Sequence, residues 1–218
     1  MKTLNTYINE WQVSNKTVSS IKKTPYFIYK ISSKSTIRIF DDEFEELEDF
    51  KNKVYINGKQ VEIKTDGCTV EKYEPGEYKV YIEDIDDITD CTCMFQFCTE
   101  LIDVPIFDTS KVEKMRNMFC KCDKLENVPV FNTSKVIDMY GMFMNCKNIE
   151  KIPLFDTRNV HNMTNMFYGC EKLENVPLFN MNSVYFIKSM FNCCNKLDDQ
   201  TKTKWSKIYD FENNIKIK

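Results

Sequence analysis

The sequence is short of most residue types on which surface chemistry relies. Only five of its 218 residues are glycine, and none of them sits in a Gly-rich stretch able to cradle a phosphate through backbone N–H groups. Its single histidine, His161, gives ten cysteines no general base to make a nucleophile of them. The cysteines also lack the paired CxxC spacing of zinc knuckles. No apolar run is long enough for a membrane-spanning helix or the centre of a secretion signal, and the opening MKTLNTYINEWQVSNKTVSS contains no continuous apolar stretch. Positive charge is not in excess either: 30 Lys and Arg against 33 Asp and Glu leave a formal net charge of −3. That balance disfavours a nucleic-acid backbone or an anionic membrane surface as partner. These absences leave the expectation of a protein that is not an enzyme and has no catalytic residues, no cofactor and no metal. They also imply no membrane insertion and a cytoplasmic location, with the cell surface or leaderless secretion as the alternative.

What is present is a period. Met94, Met118, Met142, Met166 and Met190 are spaced by 24 residues, and each is followed by Phe. Cys98, Cys122, Cys146, Cys170 and Cys194 keep the same interval, as do Leu101, Leu125, Ile149, Leu173 and Leu197. Pro105, Pro129, Pro153 and Pro177 follow it too. A catalytic motif needs one copy, whereas a residue that recurs in every unit belongs to a shared stacked interior. The period predicts an α/β-type leucine-rich-repeat solenoid of short strands and short helical or 3-10 turns, with a small N-terminal β cap. LxxVPxF reads as an extended segment, DTS or NTS as a corner, and VxxMxxMFxxC as one helical or 3-10 turn, with a strand at VxxM as the alternative.

Val112-x-x-Met115-x-x-Met118-Phe119-x-x-Cys122-x-x-Leu125, followed by Phe131-Asn132-Thr133-Ser134, resembles the BspA-like leucine-rich-repeat family, the Mycoplasma-type surface lipoprotein repeat. The resemblance covers about residues 88 to 197. It implies a non-enzymatic surface or secreted protein that adheres to host or matrix proteins. The chain departs from surface-anchored members in its polar opening, with no lipid-attachment Cys near it and no cell-wall sorting tail.

Three regions are expected: an N-terminal region with a β-hairpin cap over 1–87, the repeats over 88–197 and a C-terminal cap over 198–218. Asn57-Gly58 between two β-prone runs predicts a hairpin, and Pro75-Gly76 a second turn, within a β unit at about 36 to 86. In DDEFEELEDF, Phe44, Leu47 and Phe50 predict a short amphipathic helix or turn with an acidic outer side. Trp205, Ile208 and Tyr209 stand at helical spacing after the last repeat.

The recurring cysteines read as a column of small buried thiols, since five ladder thiols cannot all pair and a cytoplasm disfavours disulfides. If invariant columns build the frame, function falls to the columns that vary. Glu113, Ile137, His161 and Tyr185 form the most variable one, and Arg116, Tyr140, Thr164 and Lys188 lie one short turn along. These eight residues are the candidate partner-binding site, because Tyr and Arg are favoured at interface hot spots. Asp103, Asn127, Lys151 and Asn175 form a competing, more polar column. The expected function is a non-enzymatic protein–protein interaction module, a host-interaction factor if the source is a virus or parasite. The alternatives are a surface or secreted adhesin and a structural subunit that stacks end to end.

Overall fold

The computed structural model describes residues 26–50, 53–213, 215 and 216. The part of the expected N-terminal region before Tyr26 lies outside them.

Regular secondary structure is concentrated before the repeats, in a five-stranded antiparallel sheet of order β3-β2-β4-β1-β5. Its strands are β1 (Phe27–Ile31), β2 (Val54–Ile56), β3 (Lys59–Val61), β4 (Gly76–Ile82) and β5 (Leu101–Asp103). The alternation of FIYKI buries Phe27, Tyr29 and Ile31 and turns the intervening residues outward. Asn57 and Gly58 join β2 to β3 with φ of 49° and 82°, the left-handed pair that a two-residue primed turn requires. The turn expected at Pro75-Gly76 does not form a hairpin. Gly76 is instead the first residue of β4 and pairs with Ile31, while Tyr73 bridges Ser35. β5 is drawn from the first repeat and pairs with β1, so the sheet is continuous with the repeats.

Phe44, Leu47 and Phe50 are buried at and beside the short helix α1 (Leu47–Phe50). Part of its acidic side is structural. The Glu46 carboxylate accepts from Thr89 N, Thr89 Oγ1 and Asp90 N at 3.3, 3.1 and 3.2 Å, which ties this segment to the first repeat. Asp41 is buried and accepts from the Arg38 guanidinium and from Glu43 N, both at 3.1 Å.

The expected α/β leucine-rich-repeat solenoid with helical or 3-10 turns is not what forms. From Ile88 to Leu197 the described residues contain no helix and a single strand, β5; the helices are α1, a 3-10 turn at Ile85–Asp87 and α2 (Asp199–Trp205). The reason lies in the backbone. Cys93, Asn117, Gly141, Asn165 and Ser189 all have φ between 53° and 59°, and Phe97, Lys121, Asn145, Gly169 and Cys193 all have φ between 58° and 71°. Each repeat therefore carries two left-handed residues four apart around its MF pair. A right-handed helical turn cannot continue through either. The segment is a succession of tight turns in which Met118 N donates to Met115 O, Cys120 N to Asn117 O and Cys122 N to Phe119 O.

Successive repeats nevertheless pack as tiers, offset by one period. Phe95 N donates to Met118 O, Phe119 N to Met142 O, Phe143 N to Met166 O and Phe167 N to Met190 O, at 2.9 to 3.0 Å. Parallel bridges join Asp90, Lys114, Asp138, Asn162 and Phe186 in sequence. Inside, Phe95, Phe119, Phe143, Phe167 and Phe191 stack with centroids 5.5, 5.6, 6.0 and 5.7 Å apart. Phe107, Phe131, Phe155 and Phe179 form a second column beside them. Phe27 and Phe40 cover the first tier, packing on Phe95 at 5.0 and 6.2 Å. At the other end Trp205, the last residue of α2, meets Phe179 and Phe191 edge-on, and Tyr209 of β6 (Tyr209–Asp210, paired with β7, Ile215–Lys216) meets Phe191.

Candidate protein-recognition surface

The thiols belong to the frame. Cys122, Cys146, Cys170 and Cys194 donate to the carbonyls of Phe95, Phe119, Phe143 and Phe167 at 2.9 to 3.0 Å. Cys98 closes the column on Ile39 O at 3.4 Å. All ten cysteines are free, and Cys193 alone is exposed. Burial pushes the Cys98, Cys122, Cys146 and Cys170 thiols well above their ordinary range and Cys120 up to about 11. Thiolate chemistry at neutral pH is thereby suppressed. Among the described residues no group of three His, Cys, Asp or Glu is placed to hold a metal ion, and no helix is long and apolar enough to cross a membrane.

The first candidate column is carried on a continuous backbone ladder. Glu113 N donates to Thr89 O, Ile137 N to Glu113 O, His161 N to Ile137 O and Tyr185 N to His161 O, at 2.8 to 3.1 Å. All four side chains are exposed. The His161 and Tyr185 rings lie 5.7 Å apart, so these two form a contact pair. The second candidate column is partly occupied with itself. The Arg116 guanidinium sits 4.1 Å from the centre of the Tyr140 ring and 3.7 Å from Asp138, and Asn165 Nδ2 donates to Tyr140 Oη at 3.3 Å. Tyr140 and Thr164 are half-buried, whereas Arg116 and Lys188 are exposed.

Phe186 escaped the sequence reasoning. It stands 62% exposed next to Tyr185, which is 71% exposed, and both backbone N–H groups donate to His161 O. In the same column Asp90, Asp138 and Asn162 use their side chains to accept from the N–H two residues on, closing an Asx turn. Phe186 gives up that bond and puts a large apolar ring in water. A phenylalanine in a column of Asp, Lys and Asn was the available signal.

A second outward side was only half read. Asp103, Asn127, Lys151 and Asn175 lie where expected, half-buried or exposed. Three residues further along each tier is an aliphatic column: Ile106 is 51% exposed, Val130 36% and Leu178 48%, with Leu154 half-buried. The residue after each repeated Pro is aliphatic in the sequence, a signal that the sequence reasoning passed over. The ladder on this side is interrupted. Glu126 N donates to Ile102 O and Glu174 N to Glu150 O, but no backbone bond joins Glu150 N to Glu126 O. A depression of about 650 Å³ opens at that joint, lined by Glu126, Glu150, Lys151 and Ile152 among others.

The family model described as Mycoplasma protein of unknown function, DUF285, matches residues 89–205. The chain belongs to this family. Neither the curated proteins nor the solved structures searched gave a match. The DUF285 match begins at Thr89, where Glu46 grips the first tier, and ends at Trp205, which closes the last one.

Proposed function

We propose that this DUF285 chain is a non-enzymatic protein-recognition module of the BspA-like kind, binding through the face that carries Ile137, His161, Tyr185 and Phe186. The observation behind this reading is the adjacent pair Tyr185 and Phe186. Two large aromatic rings stand in solvent on a hydrogen-bonded backbone, and Phe186 takes a position where the two tiers before it place a turn-closing Asp or Asn. Rigid exposed aromatics gain much on burial and lose little side-chain entropy, which is the profile of an interface anchor. Aromatic side chains of the flanks cover both ends of the stack, which favours a finished module over a subunit that polymerises end to end. A cytoplasmic site of action is proposed with it, and fractionation of the native source separates that from an adhesin at the cell surface.

The test is capture of a partner from the native source by the purified chain and two triple variants. Ile137→Ser, His161→Ser, Tyr185→Ser together leave the melting curve almost unchanged, because the side chains are exposed, yet lose the partner. Asn127→Ser, Lys151→Ser, Asn175→Ser retain it. The reverse pattern moves the site to the other side, and loss from neither set contradicts both.

A further inference from the structure

Each end of the stack leaves a row of backbone groups that a further tier would have met, and the flanks meet several of them. At the first tier the Glu46 carboxylate accepts from Thr89 N and Asp90 N, and Met94 O accepts from Asp41 N. At the last tier Asp198 N donates to Glu174 O, Trp205 Nε1 to Val176 O, and Lys216 Nζ to Met181 O and Val184 O. Phe191 N donates to Tyr209 Oη. One stretch is passed over. In the tiers before it, Glu113 O, Ile137 O and His161 O each accept from the next tier. Met115 N, Met139 N and Met163 N each donate to the next tier, and so do Asn117 N, Gly141 N and Asn165 N. The matching groups of the last tier are Tyr185 O, Ile187 N and Ser189 N, and no described residue bonds to them.

A row of unpaired amide and carbonyl groups is a template for one more strand. Its register is set by the bonds with which Tyr185 N, Phe186 O and Lys188 O meet the tier before, at 2.9, 2.7 and 3.0 Å. An extended backbone running parallel to the last tier repeats them: its first residue donates to Tyr185 O, its second accepts from Ile187 N and its fourth from Ser189 N. A helix cannot, because its own turns use those groups. Nor can the first tier of another copy, whose matching Thr89 and Asp90 N–H groups are held by Glu46. Side chains in register touch along this stack, as the His161 and Tyr185 rings do, and Arg116 and Tyr140. The first two residues of the added strand therefore lie against Tyr185 and Phe186, whose exposed rings suit apolar partners. The third faces Ile187, already buried, where a small residue fits. The fourth lies over Lys188, exposed and closing no ion pair among the described residues, and suits Asp or Glu.

We infer that this edge takes an extended segment of the partner protein as a parallel strand, with the pattern apolar, apolar, small, acidic over Tyr185, Phe186, Ile187 and Lys188. Backbone bonds supply the attachment and the side chains select the sequence. The inference rests on the proposal that the Tyr185 face is the recognition surface, and it names the shape and chemistry of what that face recognises.

Fluorescence anisotropy of the full chain with a fluorescein-labelled peptide, Thr-Ser-Phe-Val-Ala-Glu-Ser-Thr, tests it. N-methylation of the peptide's Phe removes the N–H that meets Tyr185 O and puts a methyl group into the ladder. N-methylation of its Ala alters an N–H that points away from the stack, as Ile187 N points away from the tier before. The Ala form should bind like the unmodified peptide and the Phe form about tenfold more weakly or worse. Tyr185→Ser, Phe186→Ser together should weaken the unmodified peptide to a similar extent. Lys188→Glu, an exposed change that leaves the fold intact, should turn the preference to a peptide with Lys in place of Glu. Equal binding of the two methylated peptides, indifference to Lys188→Glu, or no saturable binding overturns the proposal. So does an edge covered by a second copy, seen in sedimentation as a dimer that Tyr185→Ser, Phe186→Ser dissociates. The two readings fail separately. If Ile137→Ser, His161→Ser, Tyr185→Ser loses the native partner while the methylated peptides bind alike, the face stands and the added strand falls; if that variant keeps the partner, the face itself falls.

Discussion

Phe143 lies between Phe119 and Phe167 with its ring plane within 6° of both, at 5.6 and 6.0 Å, and is fully buried. Replacing it by Ala removes one layer of a column that has no slack to close, and about 3–5 kcal/mol of stability should go with it in denaturant titration. The thiols make a second prediction at this scale. Cys146 and Cys170 are buried donors to carbonyls, and burial raises both well above the ordinary thiol value of 9.0, whereas an unfolded thiol ionises near that value. The native state thus holds protons that the unfolded state releases. The stability that the neutral thiols contribute is complete below about pH 9 and falls as pH rises beyond it. Thermal melts from pH 7 to 11 should show that decline, and Cys146→Ala, Cys170→Ala should make it shallower. With a thiol reagent at neutral pH, Cys193 should react at once and the ladder cysteines only after denaturant is added. Buried columns of this kind were legible in the sequence because they repeat without exception. Phe186 was not read as a site, since it stands out only when its whole column, Asp90, Lys114, Asp138 and Asn162, is compared with it.

Within each repeat the sequence was misread where spacing and backbone disagree. VxxMxxMFxxC has the apolar intervals of a helical turn, but the polar and small residues between them sit at φ above 50°. Asn and Gly recur in those two columns, at Asn117, Gly141, Asn145, Asn165 and Gly169, and they are the residues that accept a left-handed backbone most readily. The hairpin at Asn57-Gly58 was legible for the same reason, because that dipeptide has one dominant use between strands. Gly141 shows a further constraint. A Cβ there would lie 2.3 Å from Asn117 Oδ1 in the tier before, at a φ of +57°. Gly141→Ala should therefore destabilise the chain by about 1–2 kcal/mol from the left-handed backbone alone, and by more from the collision. Asn117→Gly in the same chain should recover the collision part. A double-mutant cycle of melting free energies reads this coupling, and additivity of the two changes would show that the Asn117 side chain moves aside freely.

For the molecule as a whole, the period reported the stacking but not the architecture around it. The antiparallel sheet starts at Phe27, in a stretch with no hairpin dipeptide, and draws its edge strand β5 from the first repeat, so no local signal marked β1 or β5. The aliphatic column was hidden because LxxVPxF was read for the residues it buries rather than for the residue it leaves outside. What holds the stack together is contact between neighbouring tiers: the Phe column, the thiol-to-carbonyl bonds and the backbone bonds at an offset of one period. A chain built this way tolerates loss of a whole tier and not of half a tier. Deleting Met118 to Gly141 brings Asn117 to Met142 and sets Phe95 against Phe143 in the place of Phe119, with the thiol column unbroken. Deleting only Met118 to Pro129 leaves the later segments out of phase with every tier. Thermal unfolding of these two deletions side by side is the most direct measurement. The whole-tier deletion should melt in one cooperative transition at a somewhat lower temperature than the full chain, and the half-tier deletion should show none. Equal loss of the transition in both would contradict a stack held by its nearest neighbours.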